Sequence, residues 1–319
     1  MTKATAEQLS QAAEVVYDVL QPTPQYHYPL LSERCGTTVW VKHENHTPVG
    51  AFKVRGGLTY MKEHARRRPG RGVVTATRGN HGQSIAFASS RVGVDATIVV
   101  PECNSVEKNA AMRALGGHLV VHGHDFQAAV EHAAELAESE GLDRLPSFDP
   151  LLVAGVGTYA MELFSARPDL DTVYVPIGLG SGICGLVSAR DALGLRTRIV
   201  GVVAEVAPAY ALSFEAGRPV STNTADTMAD GMACRVPMPE ALETIRSGVE
   251  RIVRVDDDAI RDAMRIYFSD THNVAEGAGA APLAALLGER EAMHGREVAV
   301  ILSGGNVDRS IYADVLAGG

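Results

Sequence analysis

A lysine, Lys53, follows Phe52 and precedes a glycine pair in TPVGAFKVRGG (residues 47–57), with few other charges around it. This setting suits an amine that must shed its proton and add to a carbonyl, because desolvation lowers an ammonium's pKa towards neutrality. A lysine at a helix start after a turn over residues 48–50 would read the same, so other positions must decide. In GLGSG, the residues Gly178, Leu179, Gly180, Ser181 and Gly182 follow the apolar run TVYVP and precede a helical pattern. Bare backbone N–H groups at a helix start, with a hydroxyl from Ser181, favour an anion such as a phosphate. A tight turn fits these glycines equally well. A dinucleotide fingerprint is the specific rival, but it needs G-x-G-x-x-G and an acid about 20 residues on. Here the spacing is G-x-G-x-G, while Glu205 keeps that rival open.

Two more glycine-bearing stretches carry polar groups. In TATRGNHGQS, Thr77 and the N–H groups of residues 79–82 stand at a helix start, where a substrate carboxylate is favoured. Arg78, Gly79, Asn80 and His81 complete that loop. His81 reads more readily as a capping or packing histidine than as a catalyst. SGGN places Ser303 at the end of an apolar run, where a plain strand exit is the alternative. Cys35, Cys103, Cys184 and Cys234 are widely spaced, without CxxC or a zinc-type cluster. A phosphate cradle, a desolvated lysine and no metal cluster point to a cofactor that brings its own electrophile, and pyridoxal 5'-phosphate fits.

These groups need a scaffold. Short β-branched runs (TTVWVKHE, GVVTAT, DATIVVP, HLVVHG, TVYVPIG, RIVGVVA, VAVILSGG) alternate with helical patterns such as SVEKNAAMRALGG and FQAAVEHAAELAESEG. Near-continuous apolar strands joined by helices predict parallel sheets covered on both faces. Ligands in such sheets bind beyond the carboxyl ends of the strands, where all three glycine-bearing loops fall. The 319 residues are 46% hydrophobic with 32 glycines, which suits a soluble α/β enzyme of two lobes or one large domain. A net charge of −9 makes nucleic acid and anionic membranes poor partners, and ARRRPGR reads as a solvated helix end followed by a turn. The first residues form an amphipathic helix pattern without a signal-peptide core, and no apolar run approaches a membrane span. A cytoplasmic protein with reduced thiols is expected.

GAFKVRGG, RGNHGQS, PIGLGSGICG and SGGN, in that order, make the chain resemble the serine/threonine dehydratase and serine racemase family of fold-type II pyridoxal-phosphate enzymes. The resemblance covers nearly the whole chain and implies a tryptophan synthase β-like α/β fold: two lobes with mostly parallel twisted sheets. It implies a large cofactor-binding domain over residues 1–64 and 149–319, a small mobile domain over residues 65–148, and a homodimer. It makes Lys53 the Schiff-base lysine and the base at Cα, with Phe52 beside the cofactor and Asn80 on its 3'-oxygen. Residues 178–182 would hold the phosphate, Ser303 would face the pyridine nitrogen, and Glu276 is a further cofactor-side residue. The substrate would meet Thr77, Arg78, Gly79, Asn80 and His81.

The expected reaction is β-elimination from a β-hydroxy-α-amino acid, such as L-threonine, L-serine or L-threo-3-phenylserine, to a 2-oxo acid and ammonia. A serine opposite the ring nitrogen favours loss of a β-substituent over transamination. Alternatives are a 3-hydroxyaspartate or hydroxyectoine-derived substrate, β-replacement, and a catalytically silent pyridoxal-phosphate or amino-acid-binding protein. Arg78 stands where many family members carry a serine that is the racemase's second acid/base, which argues against racemisation. Its charge calls for an anion: the substrate carboxylate, the cofactor phosphate or Glu276. Glu205 and Ala209 match two of three positions of a divalent site seen in some relatives, but Ala211 replaces the second acid, so no metal is assigned. The chain is expected to lack the regulatory domain of biosynthetic threonine dehydratases.

Overall fold

A computed structural model describes residues 3–318. In chain order the elements are α1 (Ala6–Tyr17), β1 (Gln25–His27), α2 (Pro29–Cys35), β2 (Thr38–His43), α3 (Lys53–Arg67), β3 (Val73–Ala76), α4 (Asn80–Val92), β4 (Ala96–Val100), α5 (Val106–Ala114), β5 (His118–Val121), α6 (Phe126–Ser139) and β6 (Asp143–Arg144). They continue as α7 (Pro150–Ala166), β7 (Thr172–Pro176), α8 (Ser181–Ala192), β8 (Arg198–Ala204), α9 (Ala209–Ala216), α10 (Pro239–Gly248), β9 (Arg251–Val255), α11 (Asp257–Thr271), α12 (Gly277–Gly288), β10 (Glu297–Leu302) and α13 (Arg309–Ala317).

The strands form two sheets. The larger runs β1-β2-β10-β7-β8-β9, and only its β1–β2 pair is antiparallel. The smaller runs β5-β4-β3-β6 and is wholly parallel. All seven apolar runs picked from the sequence are strands. Three more lie outside those runs: β1 and β6 are only 3 and 2 residues long. β9, RIVRV, carries two arginines and is only partly buried, as an edge strand of the sheet.

Burial follows the layers. Leu186, Ile199 and Ala299 pack on one face of the larger sheet, and Val200, Leu283 and Val300 on the other. Val73, Ile85 and Val99 anchor packing about the smaller sheet. α3 is held between α4 and α7. Gly57 lets α3 approach α4, since a Cβ there would sit 2.2 Å from Ser84 Oγ. α1 starts at a capping box, with Gln8 N donating to Thr5 Oγ1 (3.2 Å) and Thr5 N to Gln8 Oε1 (2.9 Å). The ARRRPGR segment is an exposed helix end and a turn with Gly70 at φ +75°. Among the described residues no helix is long and apolar enough to cross a membrane.

Candidate active site

Because β2, β3, β7 and β10 run parallel within their sheets, their carboxyl ends deliver four loops to one region. Lys53 opens α3 beyond β2, Asn80 opens α4 beyond β3, Ser181 opens α8 beyond β7, and Ser303 follows β10 directly. Loop-to-loop bonds fix the assembly. Phe52 N donates to the Ser303 carbonyl (3.0 Å), Gly305 N to the Gly50 carbonyl (2.9 Å), and Ala51 and Gly304 form an isolated bridge.

Lys53 Nζ lies 3.2 Å from Ser181 Oγ, at the start of α8, and 5.1 Å from the centroid of the Phe52 ring. Burial alone pulls its ammonium down to about 8. The amine is therefore part-neutral at ordinary pH, as an addition to a carbonyl requires. Its neighbour Arg55 turns the opposite way, into a buried network that fixes α3. Arg55 bonds Glu44 (2.7 Å) and Glu162 (2.6 Å), and Glu162 also meets Lys42 Nζ (2.5 Å). Arg55 and Glu44 side chains are both wholly inaccessible.

The glycine loop before α8 is shaped for close backbone approach. Gly180 holds φ +104°, and a Cβ there would fall 2.6 Å from Ala241 Cβ. No side chain caps α8, so its first N–H groups remain open to a ligand. Tyr210 braces the loop from behind, donating to the Leu179 carbonyl (2.8 Å) and accepting from Met238 N (3.1 Å).

At the start of α4, Thr77 Oγ1 accepts from Gly79 N (3.0 Å) and Gly82 N (3.3 Å). Two of the four amides assigned to a carboxylate from sequence are thus already engaged by Thr77. Gly79 is required by the Lys108 stem, whose Cδ would lie 2.4 Å from a Cβ there. His81 is buried, and burial, with Lys53 adding to it, drives its imidazole down to about 3. It stays neutral, and its Nε2 has no partner. Asn80 donates to Glu276 Oε1 (2.6 Å) and accepts from Asn306 Nδ2 (2.8 Å), which orients its amide.

Of the three anions considered for Arg78, only Glu276 is a protein group, and it pairs with Lys108 rather than with Arg78. Arg78 is exposed at the rim of a cavity of about 270 Å³ and makes no ion pair among the described residues. Glu276 instead meets Lys108, 3.5 Å away, and Lys108 donates to Asp230 (2.6 Å). Lys108 and Asp230 escaped the sequence reading; the one available signal was a lysine in an otherwise apolar helical face. Glu205 is exposed at the end of β8, and among the described residues no three His, Cys, Asp or Glu side chains gather as a metal site. A larger, open surface cavity beside Arg34 and His294 lies away from these loops.

The family model described as pyridoxal-phosphate dependent enzyme matches residues 16–304. The chain belongs to that family. An L-threonine ammonia-lyase of Geobacter sulfurreducens is 36% identical over 90% of this chain and 71% of its own length. The biosynthetic L-threonine dehydratase of Salmonella typhimurium is also 36% identical, over 92% of this chain, which spans only 58% of that enzyme. Among solved structures, processed threonine deaminase isoform 2 of Solanum lycopersicum superposes with a TM-score of 0.91 at 32% identity, covering 100% of this chain and 96% of that one. Maize serine racemase gives 0.91 at 26%, covering 99% and 98%. Family membership settles the cofactor as pyridoxal phosphate and sets the dinucleotide alternative aside. The residues of this pyridoxal-phosphate enzyme fit the group: an amine of lowered pKa, an uncapped glycine-lined helix start, and a buried His81 Nε2 without a hydrogen-bond partner.

Proposed function

We propose that the protein is an ammonia-lyase that eliminates water from a β-hydroxy-α-amino acid, with release of a 2-oxo acid and ammonia. The observation that carries this reading is the Lys53 amine, desolvated and 3.2 Å from Ser181 Oγ at an uncapped helix start. Residues 178–182 would hold the cofactor phosphate on backbone N–H groups, Phe52 and Asn80 would flank the ring, and Ser303 would face its nitrogen. When bound, pyridoxal phosphate supplies the electron sink that acidifies Cα. Lys53 takes the Cα proton and can hand it to the departing β-hydroxyl, which leaves as water; the released enamine then tautomerises and takes up a water to give the 2-oxo acid and ammonia. The Asn80 and His81 N–H groups, left free by Thr77, would orient the substrate carboxylate. Arg78 cannot act as an acid/base, because a guanidinium stays protonated at usable pH, so proton exchange is confined to the Lys53 side.

L-Threonine and L-serine lead the substrate class, since relatives across most of this length bear threonine ammonia-lyase and dehydratase names. The exposed Arg78 favours a second reading, in which it meets a side-chain carboxylate as in 3-hydroxyaspartate, although Asp230, Glu276 and Asp308 line the same cavity and oppose a dianion. L-threo-3-phenylserine belongs to the same assay. In this reading residues 65–148 form the moving lobe of a homodimer subunit, hinged within the last turn of α3, and closure excludes water from the site. Incubating the holoprotein with each β-hydroxy amino acid and measuring 2-oxo acid and ammonia tests the proposal. Release from threonine or serine is the expected result; no release from any of them, with a visible cofactor band present, overturns it.

A further inference from the structure

Glu276 lies where three parts of the chain meet. It stands just before α12, in the layer of the larger sheet, and its N–H donates to the Gly304 carbonyl (3.1 Å) beside Ser303. Oε1 accepts from Asn80 of α4, whereas Oε2 is buried without a hydrogen-bond partner. The only cation facing it among the described residues is Lys108 of α5, and Lys108 is shared with Asp230 of the single 3-10 turn over Asp230–Met232. With both acids ionised, one ammonium faces two carboxylates and a negative charge is left over in a buried place. Arg78 and Asp308 line the cavity outside and are its other charged neighbours, while His81 stays neutral. α4 and α5 belong to the smaller sheet, so the Asn80–Glu276 and Lys108–Asp230 contacts both cross between the layers.

We propose that Glu276 is a proton-dependent positioning residue: protonated, it seats Asn80 and α5 against the start of α12, and ionised, it loosens that joint. The sign follows from linkage. Burial pushes the carboxyl up to about 7, against the pull of Lys108 and with Asp230 adding to the rise. Separating the layers returns water to Glu276 and lets its pKa fall back, so the seated arrangement binds the proton more tightly and is favoured at lower pH. Raising the pH through neutrality weakens the seating of Asn80 and α5. The inference uses only protein groups and stands whether or not the proposed elimination is found.

Hydrogen exchange of the purified protein, followed by mass spectrometry and corrected for the intrinsic pH dependence, tests it on peptides covering α4 and α5. Their corrected exchange should rise about tenfold from pH 6 to pH 8, the span expected for a carboxyl that titrates near 7 when seated and in the ordinary range when free. Glu276→Gln should flatten the profile at the protected, low-pH level. Asp230→Asn should move the midpoint down and Lys108→Met should move it up, opposite directions that a merely structural contact does not give. A tenfold rise kept intact in Glu276→Gln overturns the proposal, as does a flat wild-type profile. If Glu276→Gln fails to fold, the Asp230→Asn midpoint decides: a downward move supports the proposal and an unmoved midpoint overturns it.

Discussion

Lys53 is where local chemistry is most exposed to test. Burial lowers its pKa from 10.5 to about 8, so the folded protein binds fewer protons there than the unfolded chain between those values. The buried ammonium costs stability below pH 8, and that cost is relieved as pH rises through 8 to 10.5. The neutral amine is also what adds to a carbonyl. With cofactor-free protein, the rate of visible-band formation on adding pyridoxal phosphate should climb about tenfold from pH 6 to pH 7 and level off above about pH 8 to 9. A stopped-flow pH profile that is flat over this range would count against Lys53 as the attacking amine. Lys53→Ala should lose the visible band and the elimination activity together, while Lys53→Arg cannot restore either because a guanidinium does not deprotonate.

At the scale of elements, α3 and α8 must hold their first turns in register. α3 is locked by the Arg55, Lys42, Glu44 and Glu162 network, in which burial raises the Glu162 carboxyl but Arg55 and Lys42 outweigh it and keep it low. Arg55→Met would leave Glu44 and Glu162 with only Lys42, so a loss of ~3–5 kcal/mol is expected by denaturant unfolding. A loss under about 1 kcal/mol would show that the network is not what fixes α3. For α8, Gly180→Ala forces a left-handed φ on alanine and drives its Cβ to within 2.6 Å of Ala241 Cβ. The loop must shift, and cofactor affinity measured by fluorescence titration should fall at least about tenfold. Unchanged affinity would remove this loop from the phosphate site.

The whole molecule is two mostly parallel sheets whose loops face one another, and the proposed lobe movement is a property of that pairing. Cys103 reports on it: it is exposed and lines the cavity between the layers, whereas Cys35, Cys184 and Cys234 are buried with thiol pKa values raised by burial. A maleimide should therefore label one thiol quickly. A non-reactive substrate analogue should slow that labelling several-fold if residues 65–148 close over the site. Labelling at the same rate with and without analogue would speak against closure.

Much was legible before any coordinates. Apolar runs of four to seven residues ended by glycine loops mark strands of parallel sheets, because both faces are buried and the ligand loops fall at one end. Lys53, residues 178–182, Asn80 and Ser303 stood out since glycine and a lone polar group have few other reasons to follow an apolar strand. β1, β6 and β9 did not, because two- or three-residue strands and an edge strand interrupted by arginines carry little periodic signal. Only the tertiary structure decided what meets across the two sheets. Asn80 and Glu276 are 196 residues apart in sequence, and Lys108 and Asp230 are 122 apart. It also left Arg78 exposed and gave Glu276, one of the three anions considered for it, to Lys108. Local pattern sets which face of an element is buried, but which charge finds which is settled by desolvation at a joint that exists only once both sheets have formed.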